Sequence, residues 1–152
     1  MENYLHLAVL EAKKGMKKKE GGPFGAVIVC GGKIIAQAHN TVLKSNDPTA
    51  HAEINAIRIA SKKLKKYDLS NCELYTTCEP CPMCYSAIHW GKIKKVYYGA
   101  NAGDAAKIGF IDKKLKDILN GKKKSNIKMK KIDSKECVDL MGEFTKLNGI
   151  LY

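Results

Sequence analysis

Arginine is nearly missing from this 152-residue chain: Arg58 is the only one, so lysine supplies almost all of its 27 basic residues. Specific contacts to phosphates and base edges favour the bidentate guanidinium fork, so this scarcity argues against a chain built to read nucleic acid. Acid is short as well, with 15 Asp and Glu leaving a net charge of +12. Such an excess attracts polyanions. The lysines, however, fall in separate runs, between 13 and 19, 62 and 66, 92 and 95, 113 and 116, and 122 and 131, as solvated faces do. A nucleic-acid partner is therefore not favoured. No apolar run approaches the ~20 residues that a membrane span needs. The opening MENYLHLAVLEAKKG has neither a basic lead-in nor a small-residue cleavage site, so no secretory signal is expected and the cytoplasm is the expected compartment. There, six cysteines read as thiols or metal ligands rather than disulfides. No repeat or linker interrupts the chain. Its length suits a single domain over residues 1–152, and 45% apolar with 28% charged residues excludes wholesale disorder.

Within that frame the chain alternates helical and strand patterns. Leu5, Ala8, Val9, Ala12 and Met16 form one stripe of a helix over 3–19, which Gly21, Gly22 and Pro23 stop. FGAVIVCGGKIIAQAHN holds two β-branched runs joined by Gly31-Gly32, a hairpin with a primed turn, and its Ala26–Val29 run suggests a strand covered on both faces. Asp47-Pro48-Thr49 marks a helix start, followed by a buried stripe of Ala52, Ala56, Ile57, Ala60 and Leu64. A strand is expected over 72–77, a helix from Pro80 to Trp90, a strand over 94–98 and a Gly/Ala-rich loop over 99–111. A short helix over 112–119, a weak edge strand over 127–132 and a last amphipathic helix through Cys137, Leu140, Met141, Phe144 and Leu147 complete the pattern. A three-layer α/β domain is the packing solution for such a chain.

Two segments carry chemistry: TAHAEINAI (49–57) and TTCEPCPMC (76–84). His51, Cys81 and Cys84 are candidate zinc ligands. If Pro80 takes the first helical position, Cys81 and Cys84 share one face of the first turn, where free amides and the dipole favour thiolate. One imidazole and two thiolates leave a tetrahedral zinc one open position, at which the pKa of water falls to roughly 7. Glu53 stands too close to His51 along the chain to be a comfortable fourth ligand and suits a proton shuttle, as removal of ammonia requires. Cys78, spaced C-x-x-C from Cys81, would close the site if it joined the other three. Its place before Pro80 argues that it faces away, and Cys30, Cys72 and Cys137 read as core thiols.

H-A-E followed by P-C-x-x-C, here His51, Glu53, Pro80, Cys81 and Cys84, resembles the signature of the zinc-dependent nucleobase and nucleoside deaminases, and the likeness runs from about Pro23 to Phe110. It implies a cytidine deaminase-like α/β/α fold with a mixed sheet of about five strands and one Zn²⁺ per chain. The flanking GGPFGAVIV, SNDPTAHAE, TTCEPCPMC and GDAAKIGFID look like the bacterial guanine deaminase branch, which implies hydrolysis of guanine to xanthine and ammonia. The alternatives are adenosine in tRNA, cytosine or another small aminated heterocycle, and, outside the enzymes, a silent zinc-stabilised binding module. The guanine resemblance makes Asn40 a contact to the base edge or else a strand-end turn residue. Asp112 becomes a second acid or else the cap of the helix after it. Phe24 and Trp90 become walls of the purine pocket or else core. Tyr152 becomes a terminal aromatic residue that closes a pocket. The same resemblance implies a homodimer in which the segment from about 121 to 152 is exchanged between copies.

Overall fold

In a computed structural model that describes residues 3–132, 134–147 and 150–151, the hairpin forms around its two glycines. Strands β1 (Gly25–Cys30) and β2 (Lys33–His39) pair antiparallel, and Gly31 and Gly32 take φ of +56° and +76°, the primed-turn region that side chains with a Cβ resist. β1 pairs antiparallel with β3 (Cys72–Cys78), which pairs parallel with β4 (Lys95–Ala100), so the mixed sheet runs β2-β1-β3-β4.

β1 sits inside two faces at once. Ala26 and Ile28 point to one side, where α3 (Ala52–Leu64) lays Ala52, Ala56 and Ala60 and α4 (Pro82–Trp90) lays Ile88 around the fully buried Leu74. Val27 and Val29 point to the other side, against Ala8 of helix α1 (Tyr4–Lys17). The three alanines one turn apart let α3 approach the sheet closely. α1 buries Ala8 and Ala12 of the expected stripe, adds Glu11 and Gly15 beside them, and leaves Met16 half exposed. The rotation is set by Glu11, whose carboxylate is drawn inward by Lys14 and His39.

Further differences from the expected pattern have physical causes. The sheet has four strands among the described residues, not about five: residues 127–132 take no regular conformation, and Ile127, Met129 and Ile132 lie in solvent between lysines with no strand beside them to pair with. α3 begins at Ala52, because Asp47 spends its carboxylate on a turn with the amide and hydroxyl of Thr49. α4 begins at Pro82, not Pro80, with Cys81 as its N-cap. The 99–111 stretch contains a short helix, α5 (Ala102–Lys107), held by a reciprocal capping box between Asn101 and Asp104. Between β2 and α3 lies a single turn, α2 (Val42–Ser45), and after α5 come α6 (Lys113–Leu119) and α7 (Lys135–Lys146). Cys30 and Cys72 are not separate thiols. They face each other across the β1–β3 ladder with Cα atoms 4.2 Å apart and are joined as a disulfide. Cys137 is exposed on α7, which buries none of its described residues.

Candidate metal centre and pocket

α3 and α4 begin side by side at one end of the sheet, and each is preceded by a candidate ligand. His51 and Cys81 hold the N-cap positions with extended backbone, and neither side chain folds back to cap its own helix. The imidazole and the thiol are thereby left to face each other, while Cys84 joins them from the first turn of α4. His51 Nδ1 lies 3.6 Å from Cys81 Sγ and 3.5 Å from Cys84 Sγ. A tetrahedral zinc with bonds of about 2.0–2.1 Å to nitrogen and 2.3 Å to sulfur has N···S edges of about 3.5–3.6 Å, so the donors stand where such an ion needs them. All three ligand atoms lie within 4.8 Å of one another, and no other group of three such residues does so among those described. Nδ1 is the ring nitrogen that faces both sulfurs, so it is the one that would hold the ion.

The cluster's electrostatics favour a thiolate at Cys81. The bond from Cys84 and the neighbouring His51 ring hold the Cys81 thiol down to about 4, while that same bond and burial push Cys84 up. Cys81 in turn pushes the imidazole of His51 up. Two helix N-termini add positive potential.

Glu53, in the first turn of α3, is buried behind the cluster. Its Oε1 accepts from the hydroxyl of Thr76, a fully buried residue of β3, at 3.0 Å, and its Oε2 accepts from Cys84 Sγ at 3.5 Å. Burial pushes its carboxyl above the usual range. Glu53 is thus an acid beside the metal ligands, held by the sheet and not part of the ligand set.

These groups form the floor of a cavity of about 350 Å³, within the range of small-ligand pockets. Phe24 and Phe110 meet edge to face at 4.9 Å and 85° to make one wall, and Val42, Leu43 and Pro48 make another. Asn40 is buried at the rim. Its Oδ1 accepts from the amide of Val42 at 3.1 Å, so its NH₂ is the group it offers to a ligand. Asp112 also lines the cavity. It occupies the N-cap position of α6 yet makes no side-chain cap bond, and burial followed by the nearby Cys81 raises its carboxyl. Cys78 lines the wall, and its thiol donates to the carbonyl of Asn101 at 3.7 Å, outside the ligand cluster.

The structure therefore brings His51, Cys81, Glu53, Asn40, Phe24 and Asp112 to one cavity, with Cys84 buried beneath it against His51 and Cys81. Trp90 is not brought there: it closes α4 about 12 Å along the helix from Pro82 and borders a shallow groove with Ile54, Ile57 and Tyr67. Tyr152 lies outside the described residues. Two contributors had no role from the sequence. Phe110 carries no spacing signal, although it lies in the GDAAKIGFID stretch. Glu79 ties the metal loop to the roof, its two carboxylate oxygens accepting from Lys116 Nζ at 2.9 Å and from the amide of Ala102 at 3.0 Å.

Comparison with known proteins gives a consistent set of relatives. Residues 1–100 match the family described as the cytidine and deoxycytidylate deaminase zinc-binding region. Guanine deaminase of Bacillus subtilis is 56% identical over 111 residues, 73% of this chain and 71% of that protein. A tRNA-specific adenosine deaminase of Aquifex aeolicus is 48% identical over 99 residues, 65% of each chain. Among solved structures, guanine deaminase from B. subtilis superposes with a TM-score of 0.90 at 43% identity, covering 96% of this chain and 95% of its own. A tRNA:A34 deaminase superposes with a TM-score of 0.62 at 42% identity, covering 64% of this chain and 75% of its own.

Proposed function

Because the chain belongs to the cytidine and deoxycytidylate deaminase zinc-binding family, and so to the hydrolytic nucleobase deaminases, we propose that its substrate is free guanine, converted with water to xanthine and ammonia in the cytoplasm. The observation that carries guanine over tRNA is the extent of the likeness. Agreement with a guanine deaminase structure takes in 96% of this chain, whereas agreement with a tRNA:A34 deaminase takes in 64%.

His51, Cys81 and Cys84 are the residues that would hold zinc, whose chemistry when bound is to acidify water to a pKa near 7. The remaining work falls to this chain's own groups. Glu53 takes the proton released as the water oxygen bonds to C2 of the base and delivers it to N3. It then takes the second proton, from the hydroxyl now on C2, and passes it to the amine, whose bond to carbon breaks to release ammonia as the C2 carbonyl forms. The hydroxyl of Thr76 keeps the carboxylate aimed while it loads and unloads. Asn40 donates to a ring carbonyl, the Phe24–Phe110 pair presses on the flat of the purine, and Asp112 serves as a second acid near the departing amine.

A second reading, adenosine in tRNA, draws on the +12 charge and on the tRNA-specific relatives. Ammonia release measured against guanine, adenine, cytosine, cytidine and a tRNA anticodon stem separates the two. Guanine is expected to be turned over and the stem not, whereas deamination of the stem without turnover of guanine overturns the proposal. The proposal extends to a homodimer that exchanges the segment from about 121 onward, with the terminal Tyr152 closing a pocket. Its support is the apolar stripe of α7, whose described residues are all exposed.

A further inference from the structure

One wall of the pocket has no strand or long helix behind it. Gly21, Gly22, Asn40 and Leu43 line the cavity from the chain ends around α1, β2 and α2. Asn55 of α3 ties the end of β2 through the His39 carbonyl at 3.0 Å. Beyond it stands a line of side chains on the far side of that wall, which the catalytic groups do not use. The imidazole of His39, at the end of β2, stands between two carboxylates: Nε2 lies 2.6 Å from Glu20 Oε2, and Nδ1 lies 3.3 Å from Glu11 Oε2. All three side chains are largely buried, with 14%, 12% and 11% of their surface exposed for His39, Glu20 and Glu11. A histidine offers two polar atoms on opposite edges of a rigid ring, so it can span the carboxylates of two separate elements.

Each end of this bridge leads to the pocket. Glu11 belongs to α1, which is packed on the sheet, so that end is anchored. Glu20 belongs to the irregular segment after α1. Its carbonyl accepts from the amides of Leu43 at 3.1 Å and Lys44 at 3.0 Å, and its Oε1 accepts from Lys44 Nζ at 2.9 Å. Gly21, the next residue, lies so close to Asn40 that a Cβ there would collide with its side chain and carbonyl. Asn40 follows His39 directly, and its backbone amide donates to the carbonyl of Phe24 at 3.0 Å. The back of the bridge opens on a second cavity of about 350 Å³, bordered by Glu11, Glu20, His39, Lys44 and Asn55.

We propose that His39, clamped between Glu11 and Glu20, is a positioning residue that sets where Asn40 and Leu43 stand against the bound base. The effect on turnover rests on the deaminase reading above; the effect on the wall does not. The metal ligands and Glu53 hang from α3, α4 and β3, so loosening this wall should weaken binding of the base and spare the chemistry.

The test uses the zinc-loaded protein and His39→Ala, with Glu20→Gln as a near-isosteric second variant that keeps the fold if the first does not. Zinc content should be unchanged in both. Amide hydrogen exchange at Leu43 and Lys44 should be about tenfold faster in His39→Ala and less affected in Glu20→Gln. KM for guanine should rise about tenfold or more in His39→Ala while kcat stays within about threefold, and His39→Gln should recover part of the loss. Unchanged exchange at Leu43 and Lys44 overturns the proposal, as does faster exchange with unchanged KM, or a fall in kcat at constant KM. If the unaltered protein does not turn over guanine, the substrate reading falls instead. The same KM and kcat comparison is then made on the base of the panel that it does turn over, and the exchange result stands by itself.

Discussion

Helices α3 and α7 are of nearly equal length and carry the same kind of apolar stripe, but only one of them has found what it covers. In α3, Ala52, Ala56 and Ala60 are wholly buried against the sheet, and the helix start delivers His51 and Glu53 to the pocket. In α7, Leu140, Met141, Phe144 and Leu147 follow the same spacing, Ser134 caps the helix by accepting from the amide of Cys137, and no described residue is buried. Periodicity tells a helix which face to hide and says nothing about the surface that hides it. For α3 that surface is in the same chain. For α7 no described residue supplies it, and that is why a second copy enters the proposed function.

Substitutions can break this contrast in order of expected size. Glu53→Ala should bind zinc as before and lower kcat about 10³-fold or more, read by metal analysis and ammonia release, without changing the oligomer. Equal loss of zinc and activity would make Glu53 a ligand and not a shuttle. Next, Leu74→Ala in the core should cost about 2–5 kcal/mol in denaturant unfolding. Leu140→Ala on α7 should cost less than about 0.5 kcal/mol at low protein concentration but weaken self-association in sedimentation. A similar loss from both at low concentration would mean that α7 packs within its own chain. Third, Cys30→Ser should destabilise by about 2–4 kcal/mol by opening the link across β1 and β3, and thiol labelling of the unfolded, unreduced protein should find four free cysteines.

The smallest effect concerns pH. Bonds from His39 and Lys44 hold the carboxyl of Glu20 down to about 2, well below its value in an unfolded chain. Its contribution is therefore complete above the unfolded carboxyl pKa of about 4.3 and disappears as pH falls through about 2. The stability difference between the unaltered protein and Glu20→Gln should be constant from pH 7 to about 5 and vanish toward pH 2. A difference that persists at pH 2 would assign it to packing.

Where the sequence speaks through local rules, the structure follows it. Gly31-Gly32 turns the hairpin, the Ala26–Val29 run is buried on both faces, and the alanine stripe of α3 lies against the sheet. His51, Cys81 and Cys84 meet because each precedes or opens a helix. The departures occur where neighbours decide. Pro80 and Pro82 are both plausible first residues of a helix, and the ligand geometry requires the second, because only then does Cys81 stand at the cap and face His51. Trp90 shares a helix with both cysteines but stands at its other end, a distance that a motif does not display. Cys30 and Cys72 become partners only once β1 and β3 align in register. The strand pattern of 127–132 lacks a neighbour in this chain and remains irregular.

By itself, then, the sequence determined the candidate ligands, the acid adjacent to them, the hairpin turn and the presence of the helices that carry them, because these depend on residue types at short, fixed spacings. Only the tertiary structure decided which wall Asn40 belongs to, that Phe110 meets Phe24, that Asp112 faces the cavity without capping its helix, and that His39 bridges Glu11 and Glu20. Each of these joins residues far apart along the chain, and such pairs come together only when the sheet order and the helix rotations are set by packing as a whole.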